Sequence, residues 1–485
     1  MAGVKQQSRG KKFVKDFGIY AIGNLGSKLI TFLMIPLYTF FVEKPSDYGY
    51  FDLCLEFCLL LVPIVTLQLR DGAFRFLLDT QDTTHRTRIV SFVYRSILYN
   101  ALITIAIALI LSLFYSIRYL EYVVALLITI SFYEVLAQVT RGLGNNKAFI
   151  SVGLIASFGI GLFSLIFVAG FNMGIKGIFI ANILARLVSI AIVETWMKTF
   201  SRFFRLKANF KAVSREILKY SLPLIPVTLC GLLPPLSDRL FLKHFWGLEE
   251  AGIYAIAVRL ASIINILSVI FYQTWQENSI QQYNSPDRDS FFSKIFNMYI
   301  YVLAIVLIGY IFILKTCFTW LVAPNYQESM IYLYPIGLSW IIIAICNYFY
   351  LPYQCAKDTK SVIPSVFILA TINIVFNYML VPMWGIFGVI ATSIIGYMIV
   401  TIYLWLDTRK YFTLHFSPRT LIPLAVIAFS TIPFYYNPNH FADILYIIVA
   451  IALIVIAMPK DFKNDITKKI KKRLEKSEQK KATQN

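Results

Sequence analysis

Charge is scarce in this chain. Of 485 residues only 15% are Asp, Glu, Lys or Arg and 58% are hydrophobic, whereas soluble domains carry roughly a quarter charged residues. The scarcity is uneven, because 148–175, 329–356 and 361–406 hold no charge at all. Also missing is the two-residue alternation, in segments of about ten, that marks the strands of a transmembrane barrel. Cysteines number six and histidines four, and none has ligand spacing. Cys54 and Cys58 share a helix face, while Cys230, Cys317, Cys346 and Cys355 lie scattered in or beside apolar runs. They read as small core side chains rather than metal ligands or disulfide partners. No Gly-rich phosphate loop, zinc-binding helix motif or nucleophile elbow occurs. The expectation is therefore no enzyme, no cofactor, no metal and no nucleotide-driven pump.

What remains is apolar helix. A bilayer core of about 30 Å takes about 20 apolar helical residues, and backbone polar groups in lipid must be satisfied internally. The uncharged runs predict an all-α integral membrane protein of about 14 transmembrane helices. They fall near 17–42, 49–69, 90–117, 119–140, 148–172, 175–197, 217–245, 251–275, 291–316, 329–354, 361–383, 385–406, 419–436 and 441–459. The first stretch is too long for a signal-peptide core and lacks a small-residue cleavage site, so it reads as a retained helix. The connections are too short for an extramembrane domain.

Placing the N-terminus inside puts 35 of the 45 Lys and Arg on the inner side. Only Lys44, Arg118, Lys176, Lys243 and Lys315 fall outside. This bias predicts both termini on the cytoplasmic side of the cell membrane. The net charge of +19 is then mostly topology, facing anionic inner-leaflet lipid, rather than a nucleic-acid surface. In the tail, Phe462, Ile466, Ile470 and Leu474 recur four apart among lysines, a narrow apolar stripe suited to lying on that membrane surface.

The chain also repeats itself. Asp47-Tyr48-Gly49 after the first helix resembles Glu250-Ala251-Gly252 after the seventh, at an offset of 203 residues. Gly174-Ile175-Lys176-Gly177-Ile178 matches Gly385-Ile386-Phe387-Gly388-Val389 at an offset of 211. Two homologous six-helix bundles account for this, and a substrate site between parallel repeats is a transporter architecture. The predicted organisation is a first bundle over 1–197, a basic connector over 198–216 and a second bundle over 217–406. An additional helix pair over 407–459 and a basic tail over 460–485 follow.

An ionisable group at bilayer depth costs a few kcal/mol and should face a cavity or a partner. Glu56 corresponds to Arg259 at the first offset, so opposite charges at equivalent positions are expected to face one another across the cleft; a local pairing that leaves Asp52 beside Glu56 is the rival reading. Lys28 lies mid-helix one and Arg186 mid-helix six. Asp238 and Arg239 follow the helix-breaking Pro234-Pro235, and Glu134 is in helix four. A cavity lined by Lys28, Arg186, Arg239 and Arg259 suits a phosphate-bearing substrate, since Arg offers a bidentate fork to phosphate oxygens. Glu56 and Glu134 are candidates to offset that charge or carry a coupling proton or cation.

These residues bring a family into view. Tyr20-Ala21-Ile22-Gly23-Asn24-Leu25, Ile35-Pro36-Leu37-Tyr38-Thr39 and Asp47-Tyr48-Gly49 resemble the opening of Wzx-type polysaccharide flippases. So does Arg70-Asp71-Gly72-Ala73-Phe74-Arg75-Phe76. Ser237-Asp238-Arg239-Leu240-Phe241-Leu242, Asn373-Ile374-Val375-Phe376-Asn377 and Gly385-Ile386-Phe387-Gly388-Val389-Ile390-Ala391-Thr392 are similar to that family's second half. The resemblance runs from about 13 to 406 and implies the multidrug/oligosaccharidyl-lipid/polysaccharide exporter superfamily. It further implies alternating access, with a polyprenyl-diphosphate-linked oligosaccharide as substrate and polysaccharide-assembly proteins and membrane lipid as partners. By the same resemblance Arg239, Arg70 and Arg75 are candidates to hold the diphosphate. A drug or cation antiporter of the same fold, and a membrane glycosyltransferase or polymerase, stand as the alternatives.

Overall fold

A computed structural model describes residues 30, 32–80, 82–200, 211–356, 358, 360–436 and 440–459. Lys28, the tail stripe and much of the basic connector lie outside the described residues. Within them, twelve helices are long and apolar enough to cross a membrane, and the shorter Phe32–Phe41 and Asp443–Ala457 are also apolar. Together they meet the expected fourteen.

The first group comprises α1 (Phe32–Phe41), α2 (Pro45–Val65), α4 (Thr83–Phe114), α5 (Leu120–Gly142), α6 (Asn146–Ser164, continued by a π-turn over Leu165–Gly170) and α7 (Gly174–Met197), with the short α3 (Leu69–Asp79) after α2. Local chemistry sets these starts. Pro45 opens α2 where its missing N–H is not needed. The Asp82 carboxylate accepts from the N–H groups of Thr84 (3.0 Å) and His85 (3.1 Å) to cap α4. Asn145 likewise caps α6 through Ala148 N–H at 3.0 Å.

The connector ends in α8 (Lys211–Ser221), which packs on α3. The second group follows as α9 (Leu224–Phe245), α10 (Leu248–Gln282), α11 (Arg288–Leu321), α12 (Leu333–Cys355), α13 (Ile363–Trp384) and α14 (Ile386–Asp407). The last helices are α15 (Leu421–Phe429), α16 (Thr431–Tyr436) and α17 (His440–Ala457); α15 and α17 pack along α11. Two helix corners share one geometry. Gly174 and Gly385 both open a helix at φ +54°, a left-handed conformation that glycine adopts without steric cost.

Two expectations change. α11 runs on to Leu321, past the expected end near 316, and buries Lys315. Its Nζ lies 3.0 Å from the Asp443 carboxylate of α17. The ion pair thus ties the final helix to α11 at a point where hydropathy alone places a helix end. The segment after α2, expected to be loop, forms α3.

Candidate functional site

Helices α2 and α10 pack against each other and begin at the same end of the molecule, here called the Glu43 end. Further along both, a group of four charges bridges the two helix groups. Arg239 of α9 donates through Nε to Asp52 of α2, and its Nη2 lies 3.4 Å from Glu56. Arg259 of α10 donates through Nη2 to the other Asp52 oxygen at 3.1 Å. Tyr254 lies beneath the Arg239 guanidinium and Tyr48 beneath that of Arg259, with charge-to-centroid distances of 5.6 and 5.1 Å. Two arginines from one group therefore meet two carboxylates from the other, all within candidate spans.

The pairing is crossed relative to expectation. Glu56 reaches Arg239, and Arg259 reaches Asp52, so the Glu56–Arg259 contact anticipated from the repeat is replaced by a four-membered cluster centred on Asp52. The physical reason is helical spacing: Asp52 and Glu56 lie one turn apart on one face of α2. That same spacing was the available signal for Asp52.

Asp238, adjacent to Arg239 in sequence, faces another way. Its carboxylate accepts from Asn377 Nδ2 (2.8 Å), Asn373 Nδ2 (3.1 Å) and Tyr254 Oη (3.2 Å). It therefore joins α9 to α13 within the second group. Among the described residues no cluster of three or more His, Cys, Asp or Glu is arranged to hold a metal ion.

In the first group, Glu134 of α5 lies 3.4 Å from Arg70 Nη1 of α3. Arg186, in the middle of α7, donates through Nη1 to Asn182 of its own helix, to the carbonyl at 2.9 Å and to Oδ1 at 3.0 Å. Its guanidinium lies 6.0 Å from the centroid of Tyr133. No ion pair of Arg186 occurs among the described residues. Arg75 is exposed and pairs one turn along α3 with Asp79 at 3.2 Å. It does not join the other candidates.

A multi-pass helical fold with charges bridging two helix groups defines a polytopic membrane protein. In solved structures the fold is similar to a lipid II flippase, MurJ, in an inward closed conformation. That likeness has a TM-score of 0.70 and 15% identity, covering 92% of this chain and 99% of the other. An inward-facing multidrug resistance transporter of the MATE family is similar with a TM-score of 0.64 and 14% identity, over 80% of this chain and 97% of the other. An outward-facing MATE structure gives 0.56 at 16% identity, over 83% and 95%. No curated protein matches the chain in sequence. The chain belongs to the family described as polysaccharide biosynthesis protein, whose model matches residues 13–275.

Proposed function

We propose that this protein is a flippase that carries a polyprenyl-diphosphate-linked oligosaccharide across the cytoplasmic membrane by alternating access, for surface polysaccharide biosynthesis. The moving bodies are the two six-helix bundles over 1–197 and 217–406, with both termini cytoplasmic. The pair over 407–459 moves with the second bundle. Family membership and the flippase-like fold support a lipid-linked substrate. The observation that carries the reading is the set of arginines on α7, α9 and α10 at bilayer depth.

The roles of these arginines differ. Arg239 and Arg259 are neutralised by Asp52 and Glu56, so an entering diphosphate must compete with carboxylates for them. Arg186, bonded only to neutral oxygens of Asn182 among the described hydrogen bonds, is the group readiest to take a phosphate oxygen. A charge-assisted, bidentate contact of this kind is among the stronger polar interactions available.

The test is reconstitution of the purified protein into vesicles with a fluorescent polyprenyl-diphosphate-linked sugar, following probe accessibility in the opposite leaflet. Arg186→Ala is expected to lower the rate about tenfold or more, and Arg186→Lys less. Wild-type rates for both variants would overturn the role of Arg186. A wild-type protein that moves an organic cation but no lipid-linked sugar would replace this reading with a drug antiporter.

A further inference from the structure

The connection from α2 to α3 is strained, and the strain sits where the two helix groups touch. Leu67 and Gln68 are consecutive and both adopt the left-handed conformation, at φ 49° and 52°. For residues bearing a Cβ this conformation is costly and normally confined to Gly, Asn or Asp. Gln68 is buried at 1% exposure. Its Nε2 donates to Asp71 and, at 3.1 Å, to Thr228 Oγ1 of α9. Its Oε1 is buried without a partner.

The other described hydrogen bonds between the groups lie at the Glu43 end or in the charge cluster. Tyr326 Oη donates to the Val42 carbonyl at 2.8 Å, Asn325 Nδ2 to the Glu43 carbonyl at 2.9 Å, and Ala323 N–H to Thr39 Oγ1 at 3.4 Å. At the opposite end of α2 the described bond is Gln68 to Thr228. One end is fastened by several unstrained hydrogen bonds, the other by α8 packed on α3 and by a strained corner with an unsatisfied amide oxygen.

We infer that the Leu67–Gln68 corner with Thr228 is the gate at the α2 C-terminal end. Opening at that end breaks the Gln68–Thr228 bond, lets the corner leave the left-handed region and exposes the orphan amide oxygen to water. Strain stored in the closed form favours release, and the hydrogen bond opposes it; such strain is characteristic of switch segments. The inference rests on the alternating-access reading but not on the identity of the substrate.

Two substitutions must therefore act in opposite directions. Leu67→Gly removes the Leu67 share of the strain and keeps the bond, so it favours the closed gate. Thr228→Val removes the bond and keeps the strain, so it favours the open one. The readout is labelling of a cysteine at Leu59, one turn beyond Glu56, by a membrane-impermeant thiol reagent in a form lacking the six native cysteines. Labelling is expected to fall about fivefold with Leu67→Gly and rise by a similar factor with Thr228→Val. Labelling that shifts the same way in both, or in neither, would overturn the gate.

A second measurement guards against simple misfolding. In Gln68→Cys/Thr228→Cys protein lacking the six native cysteines, a short bis-methanethiosulfonate, which joins the two thiols through disulfides, should arrest transport, and a reductant that cleaves those disulfides should restore it. Crosslinked protein that still transports at the uncrosslinked rate excludes a gate here. Absence of lipid-linked sugar transport in wild-type protein, with labelling still responding to the two variants, would instead count against the proposed substrate.

Discussion

Gly49 and Gly252, 203 positions apart, lie backbone to backbone where α2 crosses α10. A Cβ built on Gly49 falls 2.3 Å from the Leu248 carbonyl oxygen and 2.6 Å from Gly252 N; one on Gly252 falls 2.0 Å from the Pro45 carbonyl oxygen. Were the two halves a repeat, as the 203-residue offset suggests, residues equivalent in it that touch would lie beside the axis relating them. The contact lies between α2 and α10, one turn or two from the Asp52–Arg239–Arg259 cluster. This is the closed seam at the Glu43 end.

Because the obstructing atoms are backbone, they cannot rotate away. Gly49→Ala or Gly252→Ala must push the crossing apart rather than settle into it. Each is expected to leave the protein inserted but to lower transport about tenfold or more, with raised thiol labelling at the Glu43 end; the overlap is of the kind that costs a few kcal/mol in a packed interior. Normal transport and labelling in both would show that the seam opens without penalty.

The helices were legible because bilayer thickness fixes their length: the expected spans differ from the observed ones mainly at their ends. The helix corners were legible through glycines, whose backbone role leaves a mark in sequence: Gly174 and Gly385 both have φ +54°. Asp52 was harder to rank, since one carboxylate on a helix face does not disclose how many arginines converge on it from elements almost 190 or more residues away. The burial of Lys315 was not legible, because its partner, Asp443, is brought to it only by packing of α17 on α11. The left-handed Leu67–Gln68 corner carried no glycine to announce it.

The Lys315–Asp443 pair yields a stability prediction. Both side chains are buried, and removing one partner leaves an uncompensated charge at a cost of about 3–5 kcal/mol. Lys315→Ala should therefore lower the melting temperature in detergent markedly and expose α17 to protease. Lys315→Met with Asp443→Leu should recover most of the loss, because replacing a buried pair by apolar groups is often neutral. Equal destabilisation by the single and double variants would mean that packing volume, not charge, holds the final helix.

The carboxylates of the inter-group cluster should not be equivalent. Asp52 is 3% exposed and holds both Arg239 and Arg259, whereas Glu56 is 20% exposed and lies 3.4 Å from Arg239 alone. Asp52→Asn strips the shared counter-charge from two arginines at once, leaving them to Glu56, which reaches only one. Glu56→Gln leaves every arginine with Asp52 within reach. Loss of transport should thus be near complete for Asp52→Asn and only severalfold for Glu56→Gln, measured in the same vesicle assay. Asp52→Glu separates charge from geometry: it keeps the charge but adds a methylene to a packed site, so activity between these two is expected. Should Glu56→Gln prove the more damaging, Glu56 would be the group that exchanges a proton or cation during the cycle, and the structural weight now placed on Asp52 would pass to it.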